Sequence, residues 1–349
     1  MTSTASKTLT ARCLCRSVQF TITVAAPDLP LQAYLCHCSV CRYTHGTLCS
    51  FHSRLPNGVE PQFIAPSGLD KLTPYAHAQS QSTRYFCTTC GCQIGDRGHD
   101  DKNWYIASAI FDFSNDPTVW TYTQHCFSDS PDGGLAELVP SVGGRQMEIH
   151  KSVVSQTPTL SNAGSQSLDD TLLAQCHCGG VSFNISRPRQ EFVDSPAGKD
   201  YLYPTDKTKW LACLDLCDDC RLVNGTSVIG WLFVPLDHIS PTPASDMLIG
   251  SSKSYQSSEG VLRTFCGTCG ATVFFSCDER QRPPVVDIAM GILRAREGTM
   301  AETWAMWRYG RVAWPESGAK FNADFANGLM EGMKVWGRKR GHVEEFNVP

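Results

Sequence analysis

Residues 36–42 read CHCSVCR, three cysteines within six positions with an arginine behind them. Upstream lies Cys13-Leu14-Cys15, and downstream lies Cys87-Thr88-Thr89-Cys90-Gly91. The same order returns in the second half as Cys176-x-Cys178, Cys217-x-x-Cys220 and Cys266-x-x-Cys269-Gly270. The interval from Cys41 to Cys87 is 46 residues, and so is that from Cys220 to Cys266. At a constant offset of 179, Arg42 matches Arg221, Gly46-Thr47 matches Gly225-Thr226, Arg84 matches Arg263, and Phe86 matches Phe265. The chain is an internal duplication, which decides the fold before any single element is considered.

The leading segments repeat at a shorter offset, 163, so 16 residues are inserted between Cys178 and Cys217. The stretch RPRQEFVDSPAGKDYLYPTDK carries them, and its Pro, Gly and charged residues predict a surface loop. Val18, Phe20 and Ile22 alternate with polar residues, as do Val181, Phe183 and Ile185, which predicts a half-buried strand after each Cys-x-Cys turn. The expected layout is a first domain over 11–145, a polar linker over 146–170, a second domain over 171–335 and a tail over 336–349. Phe321, Phe325, Leu329, Met333 and Trp336 recur at helical spacing and predict an amphipathic helix that packs on a domain. The rest reads as short strands and turns, so the class is mainly β, twice over.

Composition limits the functions. The 349 residues carry a net charge of −4 and are 42% hydrophobic, as in ordinary soluble proteins, and the length is enough for two domains that each bury a core. No stretch approaches the roughly 18 apolar residues of a membrane span. The only short basic run, Arg338-Lys339-Arg340, reads as a helix end or solvated tail, so nucleic acid is not an expected partner. Eighteen cysteines in a chain this long do not make a disulfide scaffold. The opening MTSTASKTLTAR lacks the apolar core of a secretory signal, so a cytoplasmic location with reduced thiols is expected, and clustered cysteines then read as metal ligands.

Cys13, Cys15, Cys87 and Cys90 supply the four sulfurs of a tetrahedral zinc site, and Cys176, Cys178, Cys266 and Cys269 supply a second. Sites with four protein ligands are structural; ordinary reduced core cysteines are the alternative. Cys36, Cys38 and Cys41 form a three-sulfur set, the arrangement of a catalytic zinc with one exchangeable position, unless His37 or His45 closes it. In the second half Cys217 and Cys220 match Cys38 and Cys41, but Asp215 stands where Cys36 stood. Asp215 and Cys213 are both candidates for the third donor. Two zincs per domain are expected, with the second domain's Asp215 site the doubtful one, and thiolate sites of this kind also suit iron. Cys49, Cys92, Cys126 and Cys277 have no partner at metal spacing.

The order Cys-x-Cys, Cys-His-Cys-x-x-Cys-Arg, Arg-x-Phe-Cys-x-x-Cys-Gly resembles the glutathione-dependent formaldehyde-activating enzymes, a family that includes centromere protein V, in the tandem form found in fungi. The resemblance spans about 11–145 and 171–335, and SDSPDGGLAELVP is similar to a segment of fungal members. It implies two Mss4-like, β-sandwich-type zinc domains, a structural zinc on the four-cysteine sets and a catalytic zinc on Cys36, Cys38 and Cys41. The implied activity is carbon–sulfur lyase chemistry, addition of the glutathione thiol to formaldehyde. The small-molecule substrate would thus be a thiol adduct, with glutathione as the thiol. Arg42 would face a substrate carboxylate or form a structural salt bridge. Two other readings stand beside it. One is a zinc Lewis-acid enzyme of secondary metabolism with Tyr201 and Tyr203 on a loop that acts as a lid; the other is a non-catalytic zinc-stabilised binding module.

Overall fold

The computed structural model describes residues 5–112, 116, 118–128, 134–150, 170–280 and 284–342. In each half a small sheet precedes a large one. The first small sheet orders Ser6–Arg12, Gln19–Ala25 and Gln62–Phe63; its counterpart orders Thr171–Gln175, Ser182–Ser186 and Ile239–Ser240. Phe20, Ile22 and Val24 point to the core on one face of their strand, as do Phe183 and Ile185 on theirs, so the period-two reading holds. The first large sheet has eight strands and runs from Glu148–His150 through Trp120–Cys126, Leu31–Cys36, Ser50–Arg54, Trp104–Ala107, Gln93–Gly98 and Ser82–Cys87 to Leu72–Tyr75. The second places Asp206–Asp215, Ile229–Pro235, Val285–Ala289, Thr272–Cys277, Val261–Cys266 and Ser252–Ser258 in the equivalent order.

Among the described residues there are six α-helices: α1 (Ser39–His45), α2 (Gly134–Leu138), α3 (Gln190–Val193), α4 (Pro196–Tyr201), α5 (Asp218–Asn224) and α6 (Pro315–Lys339). Helices α1 and α5 occupy equivalent places in the two repeats, directly after the strands that end in Cys36 and Asp215. The helix expected from the Phe321–Trp336 spacing is α6, with Phe321, Phe325, Leu329, Met333 and Trp336 all buried and an interruption at Asn322.

Three sequence expectations change. The inserted segment is not a loose surface loop: it folds as α3, α4 and a short strand, with Phe192 against Trp210 and Tyr201 against Phe233. Tyr201 and Tyr203 are therefore core residues, 8% and 3% exposed, and cannot swing as a lid. The proposed linker begins too early, because Met147 is buried and Glu148–His150 pairs with Trp120–Cys126; residues 151–169 lie outside the described residues. The tail begins too early as well, since Trp336 is 2% exposed and α6 continues to Lys339; residues 343–349 are likewise outside the description.

Among the described residues two hydrophobic clusters form, and neither stops at the repeat boundary: one holds most of the first repeat, around Phe20, Ile22, Ile94 and Trp104, and takes in Val223 of the second. The other takes Leu35, Phe51 and Tyr122 from the first repeat together with most of the second. Phe325 of α6 joins them, its ring 5.3 Å from Phe51 and 5.8 Å from Tyr122. The contacts between repeats are reciprocal. Leu14 N–H donates to Leu222 O and His177 N–H donates to Tyr43 O, both at 3.0 Å. Gly46, which caps α1, abuts Thr272, while Gly225, which caps α5, abuts Gln93. Phe86 meets Phe265 across the same junction. The duplication thus packs about a pseudo-twofold axis, as an isologous dimer would.

Candidate metal and substrate sites

The four-cysteine sets form where two turns meet. Cys13 N–H donates to Val18 O and closes the Cys-x-Cys turn, and Gly91, with φ at 80°, closes the Cys-x-x-Cys turn by donating to Cys87 O. Gly270, at 79°, does the same for Cys266. A left-handed residue is needed there, which explains a glycine directly after each second cysteine. Cys13 Sγ lies 3.4 Å from Cys15 Sγ and 3.8 Å from Cys87 Sγ, and Cys15 lies 3.6 Å from Cys87. In the second repeat Cys178 Sγ is 3.5 Å from both Cys176 and Cys266. All four sulfurs of each set lie within 4.8 Å of one another. Metal–sulfur bonds of about 2.3 Å give a tetrahedron whose edges are about 3.8 Å, so both sets fit a four-coordinate ion. Their electrostatics point the same way. Cys15 is pushed down by its hydrogen-bonded cysteine neighbours while Cys13 is pushed up by Cys15 and Cys87, because crowded thiolates cannot share one site without a cation.

The three-donor sets sit at a strand end and the first turn of a helix. Cys36 ends its strand, Cys38 is the N-cap of α1 with its sulfur accepting from Cys41 N–H at 3.4 Å, and Cys36 and Cys38 sulfurs are 3.5 Å apart. In the second repeat Asp215 ends its strand and Cys217 is the N-cap of α5. Asp215 Oδ1 accepts from Cys217 N–H at 2.6 Å, and Oδ2 accepts from Trp231 Nε1–H at 3.2 Å and lies 3.5 Å from Cys220 Sγ. The donor atoms of Cys36, Cys38 and Cys41 lie within 4.8 Å of one another, as do those of Asp215, Cys217 and Cys220. Cys213, the other candidate, is not among them: it is a buried residue two positions back on the same strand, and Asp215 occupies the place next to the helix. Burial raises the Asp215 carboxyl above its ordinary range, the tendency a bound cation would oppose.

Neither His37 nor His45 closes the first set. His125 Nε2–H donates to Val139 O at 2.8 Å, so its Nδ1 accepts from His37 Nε2–H at 2.9 Å. Burial, with His125 close by, pushes His37 down to about 3, and burial beside His52 does the same to His45. Burial favours the neutral form of both rings, and neither contributes an atom to the Cys36, Cys38 and Cys41 group. Arg42 is buried, its guanidinium 5.1 Å from the Tyr43 ring, whereas Arg221 pairs with Asp218 at 2.6 Å, so the salt-bridge reading suits only the second repeat. The spare cysteines Cys49, Cys92, Cys126 and Cys277 belong to no donor group among the described residues.

Sequence reasoning noted Arg84 and Arg263 only as matched positions. The structure gives them a role. Arg263 Nη1–H donates to Cys220 Sγ at 3.4 Å, and Arg84 stands equivalently beside Cys41. Burial opposes each guanidinium's charge, but the surrounding anionic groups together outweigh it and hold the pKa above the ordinary value: Cys41, Asp96 and Cys38 around Arg84, and Cys220, Cys217 and Asp219 around Arg263. The signal was the repeated Arg-x-Phe-Cys, in which the arginine points across its sheet to the helix cysteine.

A cavity of about 530 Å³ is lined by Asp215, Cys217 and Cys220 together with Trp231, Arg263 and Phe275. A second, of about 290 Å³, adjoins it and shares Asp215, Trp231, Arg280, Asp287 and Trp314 with it. In the first repeat a cavity of about 330 Å³ is lined by Tyr34, Asp96 and Tyr105.

The glutathione-dependent formaldehyde-activating enzyme family matches residues 8–129 and again residues 201–309. The second match begins after Cys176 and Cys178, at the last residue of α4, yet the structure joins that pair to Cys266 and Cys269 just as in the first repeat. A comparison with curated proteins finds no match. With two thirds of its length matched in two successive regions, and with a mainly β, Mss4-like architecture in each, the chain belongs to the glutathione-dependent formaldehyde-activating enzyme family.

Proposed function

We propose that the protein is a zinc-dependent carbon–sulfur lyase that joins a thiol, glutathione in the family's reaction, to a small carbonyl compound and reverses that step. In the addition the sulfur–carbon bond forms as the carbonyl π bond opens, and the thiol proton passes to the carbonyl oxygen; no other reactant is consumed. The observation that carries this reading is the pair of three-donor sets, each built at a strand–helix junction and each backed by a buried arginine.

Cys13, Cys15, Cys87 and Cys90, and Cys176, Cys178, Cys266 and Cys269, would hold structural zinc and clip each small sheet to its large sheet. Cys36, Cys38 and Cys41 would hold the catalytic ion of the first repeat. When bound there, zinc supplies a Lewis acid that keeps a substrate sulfur ionised or polarises a carbonyl. Arg84 balances the negative charge of the Cys41 thiolate and fixes its direction. The neutral His37–His125 pair anchors the turn between Cys36 and Cys38 to strand Trp120–Cys126 without adding charge to the donors.

Turnover of formaldehyde with glutathione by zinc-loaded protein tests the reading. Cys38→Ser and Cys41→Ser should abolish activity from the first repeat while the four-cysteine sets keep their metal; full activity in both variants with the fold intact would reject it.

A further inference from the structure

We propose that the second repeat carries a substrate site of its own. Its donors are Asp215, Cys217 and Cys220, and it takes a thiol or thiol adduct that bears an aromatic-sized apolar group. The proposal rests on the thiol–carbonyl reading above and adds a location and a substrate class to it.

The replacement of a cysteine by Asp215 has not emptied the site. The carboxylate is held by Cys217 N–H and Trp231 Nε1–H, and it stays within reach of both sulfurs. All three donors line the 530 Å³ cavity. That volume is typical of small-molecule sites, for which about 300–1,000 Å³ is usual, so it has room for a thiol with a sizeable side group as well as a small carbonyl compound.

Three aromatic side chains, Trp231, Phe275 and Trp314, stand in a lining that is otherwise largely charged. Trp231 and Phe275 line the larger cavity, with the Arg263 guanidinium 4.8 Å from the Phe275 ring centre. Trp314 borders both this cavity and the 290 Å³ one. It is 62% exposed, the most exposed of the described large hydrophobic side chains, and its backbone is left-handed at φ 54°, ψ 46°. A bulky residue there is strained by roughly 1–3 kcal/mol, and such strain concentrates at ligand sites. Packing does not account for it, because the indole lies mostly in solvent; a planar ligand lying between Trp314 and Phe275 would cover it. The larger cavity has an acidic excess, with Asp219, Glu259, Asp278 and Glu279 beside the paired Asp287 and Arg280, which favours an uncharged apolar ligand over an anionic one.

The test uses the full-length protein with cobalt(II) in place of zinc, titrated with 2-phenylethanethiol and with ethanethiol while the sulfur–cobalt absorption is followed. Wild type should respond to the aromatic thiol, and Cys36→Ser should retain that response. Asp215→Asn should lose the response together with one cobalt per chain. Trp314→Gly suits the left-handed backbone, so folding is preserved, and it should weaken 2-phenylethanethiol binding by about tenfold while ethanethiol is little changed. A response that survives Asp215→Asn but disappears in Cys36→Ser overturns the proposal and leaves the thiol–carbonyl reading standing. Equal loss of both thiols in Trp314→Gly overturns the substrate class. No thiol response in any form, with no turnover, overturns the proposal together with the reading beneath it.

Discussion

Arg84 and Arg263 are buried cations whose partners are cysteine sulfurs, so they stabilise the ionised, metal-binding form of Cys41 and Cys220. Arg84→Leu should weaken metal retention at the first three-donor set by about 10–100-fold in a chelator competition, whereas an unchanged affinity would reduce Arg84 to packing. His238 makes a second residue-scale prediction. Its side chain is 1% exposed, Nε2 accepts from Arg189 N–H at 3.2 Å, and burial lowers its pKa below 6.5. The folded state thus favours the neutral ring, so this contribution to stability is complete above the unfolded value and is lost as pH falls below it. Melting temperature should drop between about pH 7.5 and 5.5 more in wild type than in His238→Gln; parallel curves would refute the assignment. The cysteine positions were legible because spacing alone encodes a metal site. Cys213 and Asp215 were not separable, since strand alternation puts both on one face and only the start of α5 decides between them.

At the scale of elements, α1 and α5 each end in a left-handed glycine pressed against the other repeat. A Cβ on Gly46 would lie 2.3 Å from Thr272 O, and one on Gly225 would lie 2.2 Å from Gln93 O. Gly225→Ala should therefore cost about 1–3 kcal/mol in denaturant unfolding, from backbone strain and overpacking together. A neutral result would mean that the junction is loose. The recurrence of Gly46-Thr47 at Gly225-Thr226 was visible in the sequence, but its cause was not, because a twofold contact between repeats leaves no local periodicity. The same limit explains the insertion. Pro, Gly and charge predicted a loop, while Phe192, Tyr201 and Leu202 are too widely spaced to announce two short helices and a strand that gain their stability from Trp210 and Phe233.

As a whole molecule, the protein is a covalent pseudo-dimer with two cores, the larger of which crosses the repeat boundary and is sealed by α6 onto Phe51 and Tyr122. Heat should unfold it in one transition, and each half expressed alone should be unstable; two separated transitions would show independent domains. The duplication and its mainly β class could be read from the chain, but the shared core could not, because burial between repeats looks the same in sequence as burial within one. The central claim is that the duplication carries two four-sulfur clips and two three-donor sites. Metal content per chain, measured on protein purified under reducing conditions, tests this most directly. The account predicts four bound ions, falling to three in Asp215→Asn, whereas two ions per chain, unchanged by Cys38→Ser and by Asp215→Asn, would contradict it.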